Sequence, residues 1–94
     1  MPNYKLSETA EADLIRIYRW GFEQFGQTQA DQYFAAFFDH FEQLAEQPLA
    51  HPATDIREGY RRSVCGSDSV YYRIRNGTVE IMAIIGAQDA NRWL

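Results

Sequence analysis

Two hydrophobic periods divide the chain. Between residues 8 and 46 apolar side chains recur at intervals of three and four, the spacing of one helix face; after residue 57 they recur every second residue, as on one face of a strand. In the first region Ala10, Leu14, Ile17, Tyr18, Gly21 and Phe25 predict a helix from about Glu8 to Phe25. Ser7 stands at the N-cap position, Glu8 and Glu11 put negative charge at the positive end of the helix dipole, and Gly26 ends the helix. A second helix follows, with Thr28 as its cap and Asp31 at the capping-box position. Its stripe of Tyr33, Phe34, Phe37, Phe38, Phe41, Leu44 and Ala45 is wide and rich in phenylalanine, and Pro48 forbids continuation. With only Gly26 and Gln27 between them, the helices must form an antiparallel hairpin covering one face of a sheet. The width of the second stripe predicts apolar surface that a small sheet does not fully cover.

The alternating region supplies the sheet. A short strand at Tyr4–Leu6 precedes the helices, and a connection over Gln47–Thr54, with Pro48 and Pro52, leads out of them. A strand is expected near Arg57 to Val64, then a turn at Gly66-Ser67-Asp68, then two strands joined by Asn76-Gly77. Asn-Gly is the pair that best tolerates the two positive φ angles of a type I′ hairpin turn. If those two residues are the loop, Arg75 faces Thr78 and the rest of the pairing follows: Ile74 faces Val79, Tyr72 faces Ile81 and Val70 faces Ala83, so the apolar pairs share one face. Arg73 meets Glu80 on the other. The predicted order is β-α-α-β-β-β: an α+β fold in which an antiparallel helical hairpin packs on a small, mainly antiparallel twisted sheet, as one domain over residues 1–94.

Charge changes this picture by its distribution. The net value of −4 argues against a general nucleic-acid binder. Residues 1–50 carry three basic and eight acidic side chains, however, and residues 51–94 carry six and five, so the acidic half is helical and the basic residues sit on strands. A sheet with a positive face can engage an acidic partner despite the overall sign. The single cysteine, Cys65, excludes an internal disulfide and a cysteine-based zinc site and fits a reducing cytosol. No stretch reaches the roughly 18 apolar residues of a membrane span, and the N-terminus has no basic region followed by an apolar one. His40, beside the second apolar stripe, and His51, in the loop before Pro52, have no partner at metal-ligand spacing and are read as surface or packing residues. The pairs Glu8/Glu11 and Asp55/Glu58 read as helix-terminus and loop charges. No cofactor, metal or catalytic residue is expected from these features.

Several features in order resemble the ParE toxins of bacterial toxin–antitoxin modules, within the wider RelE/ParE superfamily. They are Tyr4-Lys5-Leu6-Ser7 with Ala10, Asp13-Leu14 and Ile17; Phe25-Gly26 with Ala30 and Tyr33; Leu44-Ala45 and Pro48; Ile56-Arg57-Glu58-Gly59-Tyr60-Arg61; Tyr71-Tyr72-Arg73; and Ile81 to Ile84 with Asp89 beyond. The resemblance implies a ParD-like antitoxin partner in a hetero-oligomer, inhibition of DNA gyrase, a role in plasmid maintenance or stress response, and contact with DNA only indirectly, through the antitoxin. RelE relatives instead cleave messenger RNA on the ribosome. Such cleavage needs a base or orienting group, cationic stabilisation of the phosphorane and a proton donor for the leaving oxygen. Arg61, Arg62, Arg73 and Arg75 are candidates to hold phosphate, with Tyr60, Tyr71 and Tyr72 as stand-in acids. Gly86, however, stands where many relatives have histidine, and the segment after it holds neither histidine nor tyrosine.

The resemblance also assigns candidate surfaces. A groove beside the helical hairpin is expected to take an extended or helical antitoxin tail, anchored by apolar contacts, with acidic side chains received by Arg57, Arg61, Arg73 and Arg75 next to Tyr60. Asp89, Arg92, Trp93 and Leu94 form the candidate gyrase-targeting tail. A tryptophan so near a free end needs either the domain or a partner to bury it.

Overall fold

A computed structural model describes residues 3–55 and 57–86. The tail that holds Asp89, Arg92, Trp93 and Leu94 lies outside the described residues, as does Ile56. The elements run β1 (Tyr4–Leu6), α1 (Glu8–Phe25), α2 (Gln27–Glu46), β2 (Arg61–Cys65), β3 (Asp68–Arg75) and β4 (Thr78–Gly86), the predicted order. The sheet order is β1-β4-β3-β2, with β1 parallel to β4 and the other pairs antiparallel. Both helices lie on one face, and the core between the layers holds Leu14 and Ile17 from α1, Phe37, Phe41 and Leu44 from α2, and Val70, Tyr72, Val79, Ile81 and Ile84 from the sheet.

The first helix keeps its predicted bounds and its cap: the Ser7 hydroxyl oxygen accepts the Ala10 N–H at 3.0 Å. The second helix corrects the expectation at Thr28. It begins at Gln27 behind Gly26, whose carbonyl accepts the Ala30 N–H, and no side chain caps it. Asp31 serves the neighbouring helix instead, accepting a 2.6 Å hydrogen bond from the Tyr18 hydroxyl. The strand expected near Arg57 to Val64 is also shorter. A turn closed by the Tyr60 N–H on the Arg57 carbonyl takes up the first residues, so pairing with β3 begins at Arg61.

The hairpin turn forms at Asn76-Gly77, with φ of 53° and 74° as a type I′ turn requires. The pairs Arg75:Thr78, Ile74:Val79, Arg73:Glu80 and Tyr72:Ile81 follow as predicted. Beyond them the register shifts. Tyr71 pairs with Ala83, leaving Met82 as an extra residue, and Val70 meets Ile84 rather than Ala83. This bulge resolves the run Ile81-Met82-Ala83-Ile84-Ile85, which has no alternation of its own: Ile81 and Ile84 both face the helices, while Ala83 and Ile85 pack with Tyr60 and Tyr71 in a separate small cluster.

The bulge sits where β4 loses its neighbour, because β1 pairs only with Val79 to Ile81. The N-cap residue of α1 and two side chains of the helix take over the hydrogen bonding. The Ser7 N–H donates to the Ile81 carbonyl and its hydroxyl to the Met82 carbonyl, both at 2.9 Å. Asp13, 4% exposed, accepts the Ile84 N–H on Oδ2 at 2.9 Å, and Arg16 donates to the Ile84 carbonyl at 3.2 Å while pairing with Asp13. Among the described residues, one helix and its N-cap thereby complete the edge of β4 beyond its pairing with β1.

Asp13→Ala leaves a buried N–H without its acceptor and is expected to lower unfolding free energy by about 2–3 kcal/mol. Asp13→Asn, which retains an acceptor oxygen, should cost roughly half as much. Urea denaturation followed by circular dichroism checks both, and equal losses would assign the effect to charge rather than to the acceptor.

Candidate functional site

The wide stripe of α2 does leave apolar surface uncovered. Between α1, α2 and the β2–β3 turn lies an open groove of about 680 Å³, lined by Ile17, Trp20 and Gly21 from α1, Tyr33, Phe34 and Phe37 from α2, and Ser67 and Asp68 from the turn. Phe37 forms its buried floor. Its end is aromatic and open: Trp20 is 50% and Phe25 61% exposed, their rings edge to face with centroids 5.7 Å apart. Two large aromatic groups left half in water at the mouth of an apolar groove are the chemistry of a binding surface rather than of a core.

One wall of this groove is fixed to the sheet through Tyr33. Its hydroxyl lies 2.6 Å from Asp68 Oδ2 and 3.0 Å from the Cys65 carbonyl, sharing one proton between the two acceptors, and its oxygen receives the Ser67 N–H at 3.3 Å. Burial first, and then the Asp68 hydrogen bond, pushes the Tyr33 phenol up to about 12. Gly66 makes the contact possible. It has φ of 62°, and a Cβ there would meet the Tyr33 oxygen at 2.5 Å.

The predicted basic residues do not line this groove, and they do not share one surface. Arg73 and Arg75 point from the sheet face away from the helices, alongside Lys5 and Arg62, as the strand alternation and pairing require. Glu80 sits among them, 2.6 Å from Arg73 Nε. The Arg73 hydrogen bond, with further attraction from Arg73, Arg75 and Lys5, holds its carboxyl below the usual carboxylate range. Arg57 lies over the Tyr60 ring, 5.8 Å from its centroid, so those two candidates do meet. Tyr60 is buried against Tyr71, Ala83 and Ile85. Arg61 is on the opposite face: it pairs with Tyr72 in register and donates to the His51 carbonyl. The four arginines thus stand as an outward pair, Arg73 and Arg75, an Arg57 in a turn over Tyr60, and an Arg61 bonded to the His51 carbonyl.

The three tyrosines weighed as acids for RNA cleavage are dispersed as well. Tyr72 is fully buried on the helix side and donates its hydroxyl to the Pro48 carbonyl at 2.7 Å, and Tyr71 is 7% exposed on the other side of the sheet. Sequence reasoning missed Trp20, Phe25 and the Tyr33–Asp68 pair as parts of a site. The available signal was Trp20, an aromatic residue off the apolar stripe of α1, near the helix turn.

A helical hairpin laid on one face of this mixed sheet is the fold of chains in solved toxin–antitoxin assemblies. The structure superposes on a chain of the chromosomal ParDE system from P. aeruginosa with a TM-score of 0.81, covering 92% of this chain and 96% of that one at 19% identity. A chain of the RelBE2 toxin–antitoxin complex from Mycobacterium tuberculosis superposes with a TM-score of 0.68, covering 92% and 99% at 22% identity. The chain belongs to the ParE toxin family of type II toxin–antitoxin systems, whose family model, described as the ParE toxin of the parDE system, matches residues 4–90. It is 36% identical to Toxin ParE1 of Caulobacter vibrioides over 86 residues, 90% of this chain and 88% of that protein. It is 32% identical to Toxin ParE1 of Mycobacterium tuberculosis over 84 residues, 87% and 86% of the two chains. Among the described residues no helix is long and apolar enough to cross a membrane, and no cluster of three or more histidine, cysteine or acidic side chains is arranged to hold a metal.

Because the Tyr33 phenol ionises near 12 in the folded chain and near 10.0 when unfolded, its contribution is fully present below pH 10 and lost as pH rises from 10 to 12. Tyr33→Phe is expected to cost about 1 kcal/mol at neutral pH and to flatten the alkaline fall of the melting temperature. Thermal unfolding of both chains between pH 8 and 11 checks this, and parallel curves would refute it.

Proposed function

We propose that this ParE-family toxin acts by inhibiting DNA gyrase, without catalysing a reaction of its own, and that a ParD-like antitoxin neutralises it by seating its tail in the groove between the helices and the β2–β3 turn. The observation that carries the antitoxin reading is the groove itself, mainly apolar and ending in the half-exposed rings of Trp20 and Phe25. An amphipathic helix with anchors at intervals of three and four suits such a surface. A tail that is disordered when free loses chain entropy on binding, so tight association needs a large wrapped surface, above the roughly 1,600 Å² of a standard interface. Acidic side chains of the wrapping segment then reach Arg73, Arg75 and Arg57, with Tyr60 supporting Arg57, and add register and salt dependence. Arg61 acts in this reading through the loop it holds.

The gyrase reading rests on family membership together with the dispersal of the residues that RNA cleavage would have to gather. Tyr72 has its hydroxyl committed to Pro48, Arg61 is on the other face from Arg73 and Arg75, and residue 86, where the resemblance would look for histidine, is glycine. Asp89, Arg92, Trp93 and Leu94 are assigned to gyrase targeting. The hetero-oligomer with antitoxin is then the stored form in the cytoplasm, where gyrase works, and DNA is met only through the antitoxin.

Purified chain should block gyrase supercoiling or accumulate cleaved gyrase–DNA complexes while leaving translated message intact; codon-specific cuts with unaffected gyrase would replace this reading by the ribosome-dependent nuclease. In the same assay, removing Arg92 to Leu94 is expected to weaken gyrase inhibition more than antitoxin binding. Equal losses with a lowered melting temperature would make the tail structural.

The groove makes a separate prediction. Trp20→Ala and Phe25→Ala are each expected to cost about 2 kcal/mol of antitoxin binding by calorimetry, with unfolding free energy changed by less than about 0.5 kcal/mol. Unchanged affinity in both would move the antitoxin off this surface.

A further inference from the structure

His40, in α2, and His51, in the connection that follows it, converge on one hydroxyl. His40 Nε2 is 2.7 Å from Ser63 Oγ and His51 Nε2 is 3.4 Å from the same oxygen, with the two rings 6.3 Å apart between centroids. Ser63 is 2% exposed. Its hydroxyl has a single proton, so with both rings neutral one imidazole accepts that proton while the other donates its own N–H, and the two tautomers are complementary.

The neighbours of this cluster all bear on the segment Gln47–Thr54. The His51 ring meets the Tyr72 ring edge to face, and the Tyr72 hydroxyl donates to the Pro48 carbonyl. Arg61 donates to the His51 carbonyl, the Arg62 N–H donates to the Pro52 carbonyl at 3.2 Å, and the Thr54 N–H donates to the Tyr60 carbonyl. Ala53 forms a bridge to Arg61, covering the start of the outer edge of β2. Among the described residues, the charged and titratable groups in hydrogen-bond or ring contact with this cluster are Arg61 from β2, at the His51 carbonyl, and Tyr72 from β3, against the His51 ring, with each histidine facing the other. None of them is negative at neutral pH.

We propose that His40, Ser63 and His51 form a proton-operated latch, which clips the 47–54 connection to the sheet while the His40 ring is neutral and releases it when that ring is protonated. A His40 imidazolium carries a positive charge into a half-buried site beside the second ring, and its Nε2 can then only donate to Ser63 and no longer accept the serine proton. Burial, reinforced by the proximity of His51, already holds His40 below the usual histidine value of 6.5. With a folded value below the unfolded one, the clip is at full strength above about pH 6.5 and is lost as pH falls below it. Release uncovers the first residues of the β2 edge. The proposal stands independently of the antitoxin and gyrase readings.

Amide hydrogen exchange on the intact chain between pH 7.5 and 5, corrected for intrinsic rates, tests it, with the His40 ring followed by NMR in the same samples. The Thr54 and Arg62 amides are expected to lose protection selectively as His40 titrates. The loss should be about tenfold for every unit by which the His40 value lies below the unfolded one, while Ile17 and Ile84 keep their protection. His51→Asn, which removes the smaller of the two causes that lower His40, should weaken this pH dependence without abolishing it. A His40 ring that titrates at or above the ordinary value, a loss of protection spread equally over the chain, or an unchanged profile in His51→Asn would each overturn the latch. If that variant does not fold, the native chain's exchange pattern and His40 titration decide alone.

Discussion

The hydrogen bond from the Ile84 amide to the buried Asp13 carboxylate is the constraint on which the arrangement of layers depends. A central strand one residue too long for its neighbours has to find partners for its backbone, and β4 finds them on a helix. Ser7, Asp13 and Arg16 are spaced so that the N-terminal half of α1 runs along the unpaired stretch of β4. A carboxylate in this position accepts a strong, charge-assisted bond, but only if helix and strand are in one register. The same contact therefore sets how α1 lies on the sheet, and with it where Trp20, two turns further on, enters the groove.

The second layer of organisation is a division of labour around the sheet. The helix-facing side is built from large apolar residues and closes on Phe37 and Phe41, while the outward side carries Lys5, Arg62, Arg73 and Arg75 around a single strand carboxylate, Glu80. Acidic side chains concentrate on the helical half of the sequence, and this separation gives a chain of net charge −4 a basic face. The groove and this face lie on opposite sides of the sheet, so one partner engages both only by wrapping around the domain. That geometry favours a long, flexible segment over a compact one.

Much of this was legible in the sequence, because period and turn chemistry are local properties. The bounds of α1, the order of elements and the hairpin register up to Tyr72:Ile81 follow from a helical period, a capping serine and one Asn-Gly pair. The register beyond that point was not legible. Met82 is inserted into a run of five consecutive apolar residues, where strand alternation gives no phase, and the bulge is fixed by contacts with residues some seventy positions away. Thr28 shows a similar limit: its type and place suit a cap, but Gly26 already supplies the turn and the first helical carbonyl. The arginines illustrate the cost of an uncertain strand start. With β2 beginning at Arg61 rather than Arg57, Arg57 falls in a turn, and strand pairing turns Arg61 toward the helices and Arg62 away from them.

Tyr33 has a consequence for how the groove meets a ligand. By bonding Asp68 and the turn backbone from α2, and by filling the space that only Gly66 leaves open, it joins one wall of the groove to the end of the β2–β3 hairpin. The walls are therefore parts of one rigid body, set when the chain folds. The ordering entropy of any complex at this surface then falls almost wholly on the incoming segment, so selection among competing segments rests on their own stiffness and helix propensity as much as on the contacts they make.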